Sequence, residues 1–155
     1  MSVKKLSVAL VAALVLSASA ASAQDATFNA TRVTVESGKS FEAVVEAVKS
    51  LVAKSGMMVM GEVNQGQMLS MAGLKLKATL FLVGNPNVGK QIFEQEHAAG
   101  LYIPLRVFVY EDGGKTFVSY DKPSSLLGQF GNDKVKKVGE MLDQNIGNLA
   151  TMAAR

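Results

Sequence analysis

The stretch IPLRVFVYEDGGKTFVSY, residues 103–120, decides the fold of this chain. Up to Glu111 it has the alternation of a β-strand, in which successive side chains point to opposite faces of a sheet. Asp112-Gly113-Gly114 then provides a tight turn, and residues 116–120 form the returning strand of a predicted hairpin. The two faces of the first strand carry Ile103, Leu105, Val107 and Val109 on one side, and Pro104, Arg106, Phe108 and Tyr110 on the other.

Three further strands are predicted on the N-terminal side of this hairpin. Residues 31–36 alternate around two valines, and residues 57–63 and 76–83 are apolar runs. After the first strand, Ser40 is a typical N-cap residue, and Gly56 is a typical residue at a helix end. The apolar positions between them recur at helical spacing and form one stripe, which consists of Phe41, Val44, Val45, Val48, Leu51 and Val52.

Shorter helical segments and a terminal helix complete the prediction. Residues 68–73 form a short helical turn, residues 84–89 are dense in turn formers, and residues 90–97 have helical character. The segment 84–89 is therefore predicted to be a loop. A last amphipathic helix is predicted over about residues 133–153. Its apolar stripe consists of Val135, Val138, Leu142, Ile146, Leu149 and Met152.

The order of these elements is strand, helix, strand, strand, helix, strand, strand, helix, which indicates an α+β fold. We predict a mostly antiparallel sheet of about five strands with helices packed on one face, in a plan that resembles a split βαβ unit. The uncovered face carries Phe108, Tyr110 and Phe117. An apolar face of that size is typical of a partner surface, so a homodimer is expected.

The first 23 residues have the layout of a cleavable secretory signal peptide. Two lysines precede an apolar stretch over residues 6–16, which is far shorter than the roughly 20 residues of a membrane-spanning helix. Ala21-Ser22-Ala23 matches the small-residue pattern that signal peptidase accepts, so cleavage is expected before Gln24. Residues 24–155 then form a single α+β domain, periplasmic or secreted, with no stable membrane anchor.

The composition of the processed chain argues against several classes of protein. Loss of Lys4 and Lys5 with the leader leaves 14 of the 16 basic residues against 13 acidic ones, so nucleic acid binding is not favoured. The chain has no cysteine, which excludes disulfides, thiolate metal sites and thiol nucleophiles. Its stability must therefore come from the hydrophobic core.

Three linked motifs are similar to those of a known family. They are Gly84-Asn85-Pro86 after a strand, Ile103-Pro104-Leu105 at the start of a strand that ends in Glu111-Asp112, and Tyr120 followed by Pro123. Over about residues 31–130 the chain resembles the domain of unknown function 302 family. The resemblance implies an α+β fold and pairing into dimers, and it implies no established activity. Residues 63–72 lack an Asp-His pair that many members have, and Lys90 replaces a common Thr.

Residues 84–90 satisfy the spacing G-x-x-x-x-G-K of a nucleotide-binding P-loop. The next position is Gln91, where such a loop needs a Ser or Thr hydroxyl to coordinate magnesium. An exported protein also meets essentially no nucleoside triphosphate. The segment is therefore interpreted as a turn shaped by glycines and Pro86.

Five methionines lie close together in the sequence, and two interpretations of them stay open. Thioethers are soft ligands for Cu(I), so a periplasmic copper site is one interpretation. Its candidate ligands are Met58, Met60, Met68 and Met71, together with His97. An apolar core is the favoured interpretation, because methionine fills irregular gaps and Met58 and Met60 alternate along a predicted strand.

Candidate polar site residues are few. His97 is the only histidine, and no G-x-S-x-G segment accompanies it. A hydrolase or isomerase would use Glu111, Tyr120 or His97 as its acid or base. Asp112 and Asp121 are explained by local turn chemistry. The candidate ligand-binding residues, which lie at the ends of predicted strands or directly after one, are Asn85, Pro86, Glu111 and Tyr120.

These polar groups are too few and too generic for a recognisable catalytic set. An exported, non-enzymatic binding or accessory domain is therefore the leading prediction. Copper handling by the methionines and a small hydrolase or isomerase activity are the alternatives. No cofactor is predicted, and a cleft for a small-molecule ligand is expected near residues 84–89 and Tyr120.

Overall fold

One antiparallel sheet of five strands organises the computed structural model, which describes residues 31–155. The predicted signal peptide lies outside these residues. The strands are β1 (Arg32–Ser37), β2 (Met58–Asn64), β3 (Ala78–Gly84), β4 (Leu105–Asp112) and β5 (Lys115–Asp121). Their order across the sheet is β1-β5-β4-β3-β2, and each strand runs antiparallel to its neighbours.

Helical segments connect the strands. The α-helices between residues 31 and 155 are α1 (Phe41–Lys54), α2 (Gln65–Ser70), α3 (Pro86–Phe93), α4 (Pro123–Leu127) and α5 (Asp133–Ala154). Two 3₁₀ segments cover His97–Tyr102 and Gly128–Phe130. Within the described range, none of the helices combines the length and the apolar character that crossing a bilayer requires.

β1 and β2 run in the same direction at opposite edges of the sheet, with three strands between them. α1 is the crossover that joins them, so the chain is a split βαβ unit into which the other strands are inserted. The predicted α+β class and antiparallel sheet are confirmed. The hairpin is also confirmed, because Gly113 and Gly114 have φ angles of 57° and 76°. A tight hairpin turn whose twist matches its strands requires such positive angles.

One face of the sheet packs against α1 and α5 and forms the hydrophobic core. Alternate residues of the central strands point to that face, and the predicted stripes of the two helices supply the other half of the core. Met152 is the exception, because it is 57% exposed. Each fully buried aliphatic side chain contributes about 1.5–3 kcal/mol relative to an exposed one. Fully buried side chains include Val44 and Val48 of α1, Phe81 and Val83 of β3, Val107 and Val109 of β4, Val118 of β5 and Ile146 of α5.

The loop predicted over residues 84–89 is wrong from Pro86 onward. α3 begins at Pro86, and the side chain of Asn85 is its N-cap. Proline suits the first turn of a helix, because the N–H that it lacks has no partner there in any case. The helix ends at Phe93 rather than near His97, which belongs to the first 3₁₀ segment.

Candidate functional site

A cleft of about 400 Å³ lies at the end of the sheet where β3 ends and β4 begins. α3, the end of α1 and part of α5 surround it. Most of its lining is apolar and consists of Met57, Met60, Val83, Val88, Ile92, Phe93, Ile103, Pro104, Leu105 and Leu142. The motifs Gly84-Asn85-Pro86 and Ile103-Pro104-Leu105 therefore meet in one place.

Asn85 holds two walls of this cleft together. Its Oδ1 accepts the N–H of Asn87 at 2.8 Å, while its Nδ2 donates to the carbonyl oxygen of Gly56 at 2.9 Å. Gly56 follows α1 with a φ of 71°, a conformation that favours glycine. One side chain thus ties the end of α1 to the start of α3, and both of its polar ends are used within the protein.

Gly89 leaves the cleft open. It lies one helical turn after Asn85 and one turn before the buried Ile92, so it belongs to the inward face of α3. A Cβ at position 89 would have no atom within 4 Å apart from its chain neighbours and the backbone of its own helix. A larger residue there would extend into unfilled space, so the glycine keeps part of the cleft accessible.

The cleft offers few polar groups. The ammonium of Lys90 is exposed and pairs with Glu94 at 3.6 Å. The hydroxyl of Ser55 donates to the carbonyl oxygen of Val52 at 2.8 Å. The amide of Asn145 is another polar side chain of the lining. This set suits an uncharged, mainly apolar molecule, and it holds no pair of acidic or basic groups with which to move a proton.

The predicted ligand-binding residues lie in different places. Asn85 and Pro86 line the cleft. Glu111 lies at the far end of β4, because the start of β4 pairs with the end of β3. There its carboxylate pairs with the ammonium of Lys77 at 3.7 Å. The structure thus brings two of the four residues to the cleft and places Glu111 at the opposite end of the sheet.

Tyr120 lies on the helix-covered side of β5 and is only 8% exposed. Its hydroxyl lies against α5, 3.1 Å from the position that a Cβ of Gly147 would take. Burial raises the pKa of the Tyr120 phenol, and the nearby Asp143 carboxylate raises it further. The phenol therefore stays protonated and packed within the core rather than directed into the cleft.

Glu111 and Tyr120 do not form a catalytic pair. Glu111 pairs across the hairpin with Thr116, and Tyr120 lies four residues further along β5, about 13 Å at roughly 3.3 Å per residue. That distance exceeds what two groups acting on one small substrate can span by hydrogen bonds. His97 is exposed, with its ring 6.5 Å from the ring of Phe93.

The four candidate methionine ligands do not converge. Met58 and Met60 lie near the start of β2, whereas Met68 and Met71 lie beyond its end, so at least about 13 Å of strand separates the two pairs. All four side chains are exposed, by 46% to 83%, so the core interpretation is wrong for them. Met57 is buried. Within residues 31–155, no three His, Cys, Asp or Glu side chains are grouped to hold a metal ion.

The cleft residues that are not predicted as site residues from the sequence include Gly89 and Asn145. Gly89 carries a usable signal, because a glycine on the inward face of a helix marks a position where a side chain is missing. Asn145 carries none, because an exposed polar residue in the long α5 looks like any other solvated position.

The fold and the cleft together define an α+β domain with a five-stranded antiparallel sheet, helices on one face and an apolar cleft at one end. The chain belongs to the family described as Domain of unknown function DUF302, whose model matches residues 33–152. The match runs from β1 into the last turns of α5 and includes both cleft motifs. The resemblance expected from the motifs is thus confirmed.

A solved structure has the same fold. It is a crystal structure of an uncharacterised conserved DUF302 protein from Bacillus stearothermophilus. The two chains are 19% identical with a TM-score of 0.74, and the likeness covers 84% of this chain and 100% of the other. At that identity the likeness is one of fold alone.

Part of the chain is also similar to longer proteins. It is 35% identical over 96 residues to the fluoride-specific ion channel FluC 1 of Brucella suis biovar 1 and to FluC 1 of Brucella abortus biovar 1. The aligned part is 61% of this chain but only 38% and 36% of those proteins. The chain therefore spans little more than a third of the length of these curated relatives.

Proposed function

We propose that this protein is an exported, non-enzymatic binding domain whose cleft beside α3 takes a small, uncharged, mainly apolar molecule. The observation that carries the proposal is the unfilled space in front of Gly89 within a cleft of about 400 Å³. That volume lies within the roughly 300–1,000 Å³ of typical small-molecule sites. The polar groups of the lining are used within the protein or exposed, so shape and apolar contact select the ligand.

Burial of the ligand supplies the driving force. Removing about 200 Å² of apolar ligand surface from water contributes roughly 5 kcal/mol. The lost freedom of the bound molecule offsets part of this gain, so a modest affinity is expected. Salt should leave that affinity nearly unchanged, because no charge pair contributes to it.

The test uses N-phenyl-1-naphthylamine, an uncharged fluorophore whose emission rises in an apolar site. We expect binding to the wild-type chain and at least about tenfold weaker binding to Gly89→Leu, whose side chain fills the cleft. Gly89→Ala is the matched control, because it adds only one carbon atom and should retain the affinity. Equal affinity in the wild-type and Gly89→Leu proteins, with both folded by circular dichroism, would contradict the proposal.

Export rests on the layout of residues 1–23. N-terminal sequencing of the protein recovered from periplasmic extract should give Gln24 as the first residue. Recovery from the cytoplasm with Met1 attached would contradict export and leave the ligand assay unaffected, so the two parts of the proposal fail separately.

A second candidate function is that of an accessory domain for a membrane ion channel. It is favoured by the similarity to part of the Brucella FluC proteins, which extend well beyond the aligned region. Under this proposal the domain assists an ion channel of its own host. Deleting the gene should lower the fluoride concentration that stops growth, and an unchanged fluoride tolerance would count against this candidate.

Pairing of two chains through the uncovered face of the sheet, when no ligand occupies that face, is also a proposal. Phe108, Tyr110 and Phe117 lie on that face and are half-buried. Sedimentation velocity should then give the mass of two chains, and Phe117→Lys should give the mass of one. Lys39→Glu, at an exposed position before α1, is the control for the charge change.

A further inference from the structure

A second concavity lies on the face of the sheet opposite α1 and α5, and Gln65, Tyr102, Tyr120 and Leu126 also line it. Its volume is about 370 Å³, and β4 and β5 contribute to its floor, with β1 at one side. It shares no lining residue with the cleft beside α3. The two sites have separate linings, so this concavity is available to a different ligand.

Phe108 and Tyr110, which line the concavity, belong to an aromatic stack. The rings of Phe108 and Tyr110 are 5.0 Å apart and inclined by 14°, and the rings of Tyr110 and Phe117 are 5.2 Å apart and inclined by 25°. Side chains two apart on a strand share one face of the sheet, so β4 places Phe108 beside Tyr110. A row of nearly parallel rings is extended favourably by one further planar group.

The charged groups at this concavity leave one positive charge in excess. Arg32 pairs with Asp121 at 3.0 Å, whereas Arg106 has no carboxylate within 4.0 Å in the part of the chain that the structure describes. Arg106 lies on β4 two residues before Phe108, on the same face and about 7 Å away along the strand. A free guanidinium and an aromatic ring are therefore adjacent.

Two hydroxyl groups add a hydrogen-bond donor. Thr34 Oγ1 and Ser119 Oγ are 2.7 Å apart, and both residues line the concavity. One of the two hydroxyls donates to the other, so one hydroxyl hydrogen is left for a ligand. The site thus combines a cation, a donor and an aromatic surface.

We propose that this concavity binds a small aromatic carboxylate. The guanidinium of Arg106 takes the carboxylate through two parallel N–H donors, and the ring of the ligand extends the stack that begins at Phe108. The neighbouring Arg32–Asp121 pair has no net charge, so Arg106 is the residue that recognises the negative charge of the ligand.

The test is isothermal titration calorimetry with 2-naphthoate, which has one carboxylate and a planar bicyclic ring. We expect 2-naphthoate to bind, and 2-naphthylmethanol and cyclohexanecarboxylate to bind at least about tenfold more weakly, since each lacks one of the two recognised groups. Arg106→Gln and Phe108→Leu should each lower the affinity for 2-naphthoate by a similar factor. Lys136→Gln, on the exposed side of α5, removes the same charge elsewhere and should have no effect.

Three results would overturn the proposal. The first is equal affinity for 2-naphthoate and 2-naphthylmethanol. The second is loss of binding in Gly89→Leu but not in Arg106→Gln, which would place the ligand in the cleft beside α3. The third is a dimer that neither binds 2-naphthoate nor dissociates when 2-naphthoate is added, because the ligand and a second copy of the chain compete for this face.

Discussion

Ser124 and Asp143 are joined by two hydrogen bonds. The Ser124 hydroxyl donates to one carboxylate oxygen of Asp143 at 2.6 Å, and the Ser124 backbone N–H donates to the other at 2.9 Å. The N-cap residue of α4 is Lys122, whose side chain makes no capping hydrogen bond. α5 thus supplies the cap that α4 lacks, and the two helices are held at a fixed distance.

Removal of this cap should destabilise the protein. Asp143→Ala should lower the free energy of unfolding by about 2 kcal/mol, because hydrogen bonds to a charged group are lost and the Ser124 N–H is left without a partner. Urea denaturation monitored by circular dichroism measures the change. Glu140→Ala is the control, since Glu140 is exposed on the same helix, and a loss as large as that of Asp143→Ala would contradict the capping role.

Replacing two helical glycines by alanine should change the free energy of unfolding in opposite directions. A Cβ at Gly139 would lie 2.8 Å from the Cα of Ser124 and 3.1 Å from the carbonyl oxygen of Pro123, so Gly139→Ala must separate α5 from α4. We expect a loss of about 1–3 kcal/mol. Gly89→Ala meets nothing and should gain up to about 1 kcal/mol from its better helix propensity. Thermal melts of both variants test the pair, and stabilisation by Gly139→Ala would contradict the close helix contact.

The fold is predictable where the sequence pattern that indicates an element lies within that element itself. The β4–β5 hairpin follows from strict alternation and a Gly-Gly turn, and α5 follows from its apolar stripe. The place of β1 beside β5 is not predictable in this way. It depends on contacts such as that of Arg32 with Asp121, which are 89 positions apart in the chain.

The methionines show why the site is harder to predict than the fold. Alternation assigns Met58 and Met60 to a strand, but it does not show that β2 lies at an edge of the sheet. The pairing register also shifts between Val59 and Gly61, so Met60 is an extra residue in a bulge. Both side chains are therefore exposed rather than buried. Burial depends on which strands flank a segment, and that is a property of the whole sheet.

Copper binding by these methionines should be weak. The pairs Met58/Met60 and Met68/Met71 lie at opposite ends of β2, and two thioethers alone leave Cu(I) with open coordination positions. In competition with the Cu(I) chelator bicinchoninate, the wild-type protein should withdraw no more metal than the double variant Met58→Leu/Met60→Leu. Stoichiometric withdrawal by the wild-type protein alone would restore the copper hypothesis.

Stability at high pH should depend on Tyr120. Burial raises the pKa of this phenol in the folded protein, and the Asp143 carboxylate adds to the effect, whereas the unfolded chain has the usual value of about 10. Because the unfolded chain releases the proton first, the free energy of unfolding falls as the pH rises above about 10 and continues to fall until the folded pKa is reached.

Tyr120→Phe has no proton to release, so its stability should fall less over the same interval. Urea denaturation of both proteins from about pH 9 to pH 11 measures the difference, in which the contributions of the lysines cancel. Parallel curves for the two proteins would show that the phenol has the same pKa in both states and is not buried against α5.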